Sequence, residues 1–201
     1  VEINALWYNA VMFYRELAEL ACSDGESAKW DEFASVFPSS FKSTFWSKEK
    51  GYLADCVNGA ERDFSVRCNM IFAVSMPYTC LSLKIRQLIV EKVKQELLTP
   101  YGLRSLSPKA ENYHPVYRGN QNERDFAYHN GTVWAWLIGA FAEAYFNVYG
   151  KNAVNYIEQL YRRFGNILTD YCVGSIAEVY DGNPPYKPGG SISQAWSVAE
   201  V

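Results

Sequence analysis

The 201-residue chain is 49% hydrophobic and 20% charged, enough to bury a single core and too apolar for a disordered polymer. Its net charge is −3 with no Lys/Arg cluster, so neither nucleic acid nor an anionic membrane surface is an expected partner. Aromatic content reaches 16%, with 15 Tyr and 6 Trp, and packing between helices is the plain use for most of these rings.

The opening VEINALWYNAVMFYRELAEL has no basic n-region and carries charges throughout, which fits a helix from inside a longer protein rather than a signal peptide. The longest apolar run, residues 133–142, is too short to cross a bilayer. Cys22, Cys56, Cys68, Cys80 and Cys172 are odd in number and lack any CxxC spacing. They read as reduced thiols of a cytoplasmic protein, not as a disulfide frame or a zinc site.

Helical periodicity recurs along the chain, whereas sustained strand alternation does not. The first helix, about residues 1–22, is apolar on two faces: Leu6, Ala10, Phe13 and Leu17 on one, Trp7, Val11, Tyr14 and Ala18 on the other. The second, about 28–46, is one-sided, with a stripe of Trp30, Phe33, Phe37, Phe41 and Phe45; Pro38 is expected to kink or split it. The third, about 69–76, is apolar all round. The fourth, about 81–98, is one-sided through Ile85, Leu88, Ile89, Val93 and Leu97. The fifth, about 132–149, is again apolar nearly all round, and the sixth, about 152–168, is one-sided through Tyr156, Ile157, Leu160 and Phe164. A seventh starts near Ser193.

A helix apolar on every side is surrounded by protein, and a one-sided helix lies at the surface. Their alternation predicts an all-α fold with an inner and an outer layer visited in turn: a partial α/α toroid of about three and a half hairpins. Loop lengths agree. Connections from inner to outer helices are short (23–27, 77–80, 150–151), and those from outer to inner are long (47–68, 99–131, 169–192). The long loops would converge on one mouth, at the positive ends of the inner helix dipoles.

The third long loop and the residues after it, GSIAEVYDGNPPYKPGGSISQAWSVAEV, set the carboxylate of Glu178 among Tyr180, Asp181, Tyr186 and Trp196. A carboxylate ringed by aromatics suits sugar chemistry, since rings stack on pyranose faces and the acid group activates water. An ordinary surface loop is the competing reading. The first loop offers Arg67 and Asn69 at a helix entrance, and the second carries both histidines, His114 and His129. Two His without an HExxH pattern or a Cys pair give no metal site. GxSxG, P-loop and GxGxxG motifs are all missing, which argues against nucleotide-driven chemistry.

The segments VEINALWYNA, RCNMIFAVSMP, ELLTPYGLRSLSP, YHPVYRG, RDFAYHNGTVWAWLIGAFAEAY and GSIAEVYDG…SQAWSVAEV resemble the C-terminal amylo-α-1,6-glucosidase domain of glycogen debranching enzymes, and together they cover nearly the whole chain. The resemblance implies an (α/α)6 barrel, of which residues 1–201 would be the C-terminal part. It implies hydrolysis of the α-1,6-linked glucosyl stub at a trimmed branch point of glycogen, with inversion and without metal or organic cofactor. It makes Glu178 the general base and places Arg67, Asn69, Tyr101, Arg104, His129, Thr132, Trp134 and Trp196 around the glucose. The family's general acid is an aspartate expected just upstream of Val1, unless Asp63 or Asp125 substitutes.

Two departures from the family pattern stand out: Met70 and Asn130 each replace a glutamine. A non-catalytic glucan-binding module, or another toroidal glycosidase of trehalase-like type, remains an alternative. The 201-residue segment alone is expected to be inactive and to self-associate through apolar helix faces.

Overall fold

The computed structural model of the chain describes residues 1–22, 24–171 and 173–201. Ser23, in the first short connection, and Cys172, one of the five thiols, lie outside the described residues.

Helix α1 (Glu2–Leu20) buries Ala5, Tyr8, Val11 and Ala18, whereas the predicted stripe of Leu6, Phe13 and Leu17 is exposed. After the short α2 (Asp24–Ala28), α3 (Asp31–Phe45) carries the expected aromatic stripe. Its rings Phe33, Phe37, Phe41 and Phe45 follow one another at 5.1, 5.5 and 5.0 Å, and Tyr8 of α1 stacks on Phe37 at 4.7 Å. Pro38 does not split α3, which runs unbroken through it. One lost ladder bond is outweighed by the ring contacts on both sides of it.

The first long loop forms two antiparallel hairpins: β1 (Trp46–Ser47) with β2 (Tyr52–Leu53), then β3 (Cys56–Asn58) with β4 (Glu61–Asp63). A 3-10 turn, Cys68–Ile71, leads into α4 (Phe72–Ser75), where Met70, Ile71, Ala73 and Val74 are buried as expected of an inner helix. In α5 (Leu83–Glu96) the buried face is rotated from the predicted one. Val90 is fully buried and Leu88 is 43% exposed, because the neighbours lie toward Ile89 and Val93.

The second long loop contains β5 (Leu98–Thr99), β6 (Gly102–Arg104), α6 (Gln121–Tyr128) and β7 (Val133–Trp134). Helix α6 was not anticipated, although Asn120 and Glu123 form a capping box at its start. The next inner helix was expected from residue 132, but 133–134 are extended and α7 runs Leu137–Tyr149. Backbone pairing on both sides of β7 wins over helix propensity there. Helix α8 (Val154–Arg162) follows between 3-10 turns, then β8 (Val179–Tyr180), β9 (Pro188–Gly189) and α9 (Ala195–Glu200).

Helices dominate, and α1, α4, α7 and α9 pack in succession as an inner row. Outside it, α3 lies on α1, and α5 lies on α4 and α7. Tyr156 of α8 meets Tyr145 of α7 at 4.7 Å, with Lys94 of α5 over both rings. Burying a side chain such as Phe141 in this layer contributes about 1.5–3 kcal/mol. The strands β5-β6-β7-β8-β9 form one antiparallel sheet, which joins the second and third long loops where α7 begins.

Gly102, with φ +137°, brings its α-carbon against β7 so closely that an added Cβ would stand 2.2 Å from the Trp134 carbonyl oxygen. Gly102→Ala is therefore expected to destabilise the fold by at least the roughly 1–3 kcal/mol of backbone strain. Urea denaturation followed by tryptophan fluorescence measures this.

Candidate functional site

A cavity of about 460 Å³ opens where all four inner helices begin. Its lining includes Glu2 of α1, Asn69 and Phe72 at α4, Trp134 and Trp136 before α7, and Trp196 of α9, with His129 at the rim. The positive ends of four helix dipoles therefore border one space, as the loop lengths predicted.

Its wall is a run of rings. Phe72 stacks on Trp136 at 5.8 Å, Trp136 on Trp196 at 5.6 Å, and Trp196 meets Trp134 edge-on at 6.0 Å. His129 lies parallel to Trp134 at 5.6 Å with an interplanar angle of 4°. Burial, and then the nearby Arg67 guanidinium, hold the His129 pKa below its ordinary value.

Four of the predicted glucose-binding residues, Asn69, His129, Trp134 and Trp196, line this cavity. Arg67 sits beside it. It donates from Nη1 to the His129 carbonyl and from Nη2 to Asn130 Oδ1 at 3.1 Å, and its Nε lies 3.9 Å from Asp55 Oδ2. Asp55 in turn accepts from Asn69 Nδ2 at 2.9 Å. Arg67 itself lines a more polar cleft of about 490 Å³, shared with Tyr52, Phe64, Lys92 and Glu96.

The remaining three lie away from the cavity. Thr132 is fully buried, and its hydroxyl donates to the Ala127 carbonyl at 2.8 Å. Arg104 donates to the Gly182 carbonyl at 2.7 Å, which ties β6 to the third loop. Tyr101 packs on Tyr180 at 5.1 Å and Tyr186 at 6.2 Å. Met70 is core, and Asn130 is taken up by Arg67 and the Phe126 carbonyl, so neither departure lines the cavity.

Glu178 does not project into the cavity as expected; it lies one ring behind the wall. Its Oε1 accepts from the Tyr128 hydroxyl and its Oε2 from the Ser191 amide at 2.8 Å. The Tyr128 ring in turn sits 4.6 Å from Trp134 and 4.9 Å from His129. The Glu178 amide also donates to the Ser191 carbonyl at 3.0 Å, which prolongs the β8–β9 pairing. Gly190, at φ +72°, makes the close approach possible: a Cβ there would fall 2.5 Å from Glu178 Oε2. Burial pushes the Glu178 carboxyl up, but hydrogen bonds from Tyr128, Ser191 and Gln194 outweigh it and hold the pKa below the ordinary 4.5.

Neither candidate substitute acid reaches the cavity. Asp63 accepts from the Ser65 amide at 2.7 Å in the first loop, and Asp125 is exposed on α6 beside Gln121. The carboxylate that the cavity does hold is Glu2, missed by sequence reasoning although it opens the first turn of α1. Asp55, Cys56 and Asp63 place ligand atoms within 4.8 Å of one another, but Cys56 and Asp63 are exposed and both carboxylates already accept hydrogen bonds. That is no enclosed donor set of the kind metals occupy.

The profile of the amylo-alpha-1,6-glucosidase family matches residues 1–201. The chain belongs to this family. Glycogen debranching enzyme of Saccharomyces cerevisiae is 24% identical to it over 76% of this chain and 12% of that protein. Among solved structures, neutral trehalase of Saccharomyces cerevisiae superposes with a TM-score of 0.72 at 20% identity, over 100% of this chain and 36% of that one. A mannosylglycerate hydrolase of Thermus thermophilus gives 0.69 at 18% identity, over 98% and 43%. The chain thus spans about an eighth of its yeast relative and about a third of the trehalase. Both structures share its fold. No helix among the described residues is long and apolar enough to cross a membrane.

The Glu178 pKa carries a stability consequence. It lies below the unfolded value, so the carboxylate's hydrogen bonds stabilise the fold fully above about pH 4.5, and this contribution is lost as pH falls through the folded pKa. Glu178→Gln is expected to cost more stability at pH 7 than at pH 4 in paired urea titrations.

Proposed function

We propose that the whole protein hydrolyses α-1,6-linked glucosyl stubs on glycogen-like glucan with inversion, and that Glu178 is its general base. The single observation behind the base assignment is a buried carboxylate, kept ionised by neutral donors, immediately behind an aromatic cavity at the inner helix ends. Membership of the amylo-alpha-1,6-glucosidase family supports the reaction class. In this reading residues 1–201 form the C-terminal part of an (α/α)6 toroid, and the protein works in the cytoplasm, where Cys22, Cys56, Cys68 and Cys80 stay free thiols.

The terminal glucose would stack on Trp134 and Trp196, with His129, Asn69 and Glu2 hydrogen-bonding its hydroxyls. Neutral His129 both donates and accepts, which suits a hydroxyl. Glu178, with Tyr128, Ser191 and Gln194 as its donors, draws a proton from the water that attacks C1. A second carboxyl group from upstream chain protonates the departing oxygen, at the roughly 6.5–9.5 Å separation that leaves room for this water. Arg67, Arg104, Tyr101 and Thr132 hold the loops rather than the sugar.

Glu178→Gln in the full-length protein, assayed for glucose release from branched limit dextrin, is expected to lose about 10²–10⁴-fold in rate. Activity within about tenfold of wild type would remove Glu178 as the base.

The engagement of both Glu178 oxygens favours one other reading, a glucan-binding module without catalysis. Limit-dextrin binding with no glucose release would select it. Relative rates on trehalose, isomaltose and dextrin separate a trehalase-like specificity.

The isolated 201-residue segment is expected to be inactive and to associate through Ile3, Phe13, Leu17 and Leu20, which α1 leaves exposed. Light scattering that finds a monomer across a hundredfold range of concentration would contradict this.

A further inference from the structure

Glu178 Oε1 accepts its hydrogen bond from Tyr128, a residue of the second long loop. Tyr128 is the last residue of α6, a helix whose start is fixed by the reciprocal bonds of Asn120 and Glu123. Its backbone carbonyl accepts from Trp134 Nε1 at 3.1 Å, and its ring packs 4.6 Å from Trp134 and 5.3 Å from Tyr117. The phenol is therefore anchored through both its main chain and its ring before it reaches the carboxylate.

We propose that Tyr128 is the positioning residue for Glu178. Its hydroxyl donates to Oε1 while the Ser191 amide donates to Oε2, so the carboxylate is held from the second loop and from its own. This rests on the reading of Glu178 as the general base. Together with Gln194, these donors restrict the rotation about χ3 that a glutamate otherwise keeps. A base held in this way loses little orientational freedom when water and C1 come into line. Both donors are neutral, so the carboxylate is steered without being neutralised by a cation. The groups acting on it are Tyr128 from α6, the Ser191 amide and Gln194 ahead of α9, with Tyr117 standing beside Tyr128. Burial and the neighbouring Glu178 charge push the Tyr128 phenol up, so it stays protonated as a donor across the working pH range.

The test uses the full-length protein and limit dextrin, with kcat, KM and the acidic limb of kcat/KM read together. Tyr128→Phe keeps the ring and removes the hydroxyl. It is expected to lower kcat about tenfold, leave KM within about twofold, and move the acidic limb upward by about one pH unit. Replacement of Tyr128 by 3-fluorotyrosine, a stronger donor of nearly the same volume, is expected to keep kcat and move the limb down; it reports even where Tyr128→Phe folds poorly. In a Glu178→Gln background Tyr128→Phe is expected to change nothing further. An unmoved acidic limb with unchanged kcat in both Tyr128 variants overturns the positioning role while leaving the base intact. A Glu178→Gln protein that keeps its activity, or a wild type that releases no glucose, overturns the base reading and this proposal with it.

Discussion

Backbone pairing on both sides of β7 is the constraint on which the mouth of this structure depends. Trp134 is opposite Leu103 on one side and Val179 on the other, so one register positions the main aromatic wall and, one residue before Val179, Glu178. Side chains alternate along a strand, and a slip of one residue would turn Glu178 away from Tyr128. Strands of two or three residues are marginal alone. Complete burial of Leu103, Val133 and Val179 against the inner helices is what makes the register hold.

Helical layers were legible in the sequence because the longer helices α1, α3, α5 and α7 are written in a 3.6-residue period over three or more turns. The all-round apolarity of α4 and α7 and the ring stripe of α3 correspond to real inner and outer positions. The sheet was not legible, since two-residue strands carry no alternation to detect. For the same reason Trp134, on β7, was assigned to a helix. Helix α6 was within reach of the sequence: the Asn120–Glu123 spacing is a start signal, passed over because the segment has no strong apolar face.

At the site, only some of the residues singled out in the sequence come together. Trp134, Trp196, His129 and Asn69 meet around one cavity, whereas Thr132 and Arg104 turned out to be fasteners of the loops. The third loop also holds two buried carboxylates three residues apart, with different partners. Asp181 pairs with Arg118 at 3.0 Å and accepts from the Tyr117 amide, so its charge is matched in place. Glu178 is met by a phenol and an amide and keeps its charge unmatched. The difference lies in the donors, which come from segments more than a dozen residues away, and no local pattern reveals them.

Arg67 lines the polar cleft, and its grip on the second loop is made through the His129 carbonyl rather than the imidazole. A guanidinium retains its proton at any acidity a cell reaches. Acidification therefore alters what the imidazole offers a visiting hydroxyl while leaving its backbone moored, so the address of that ring outlasts its change of valence.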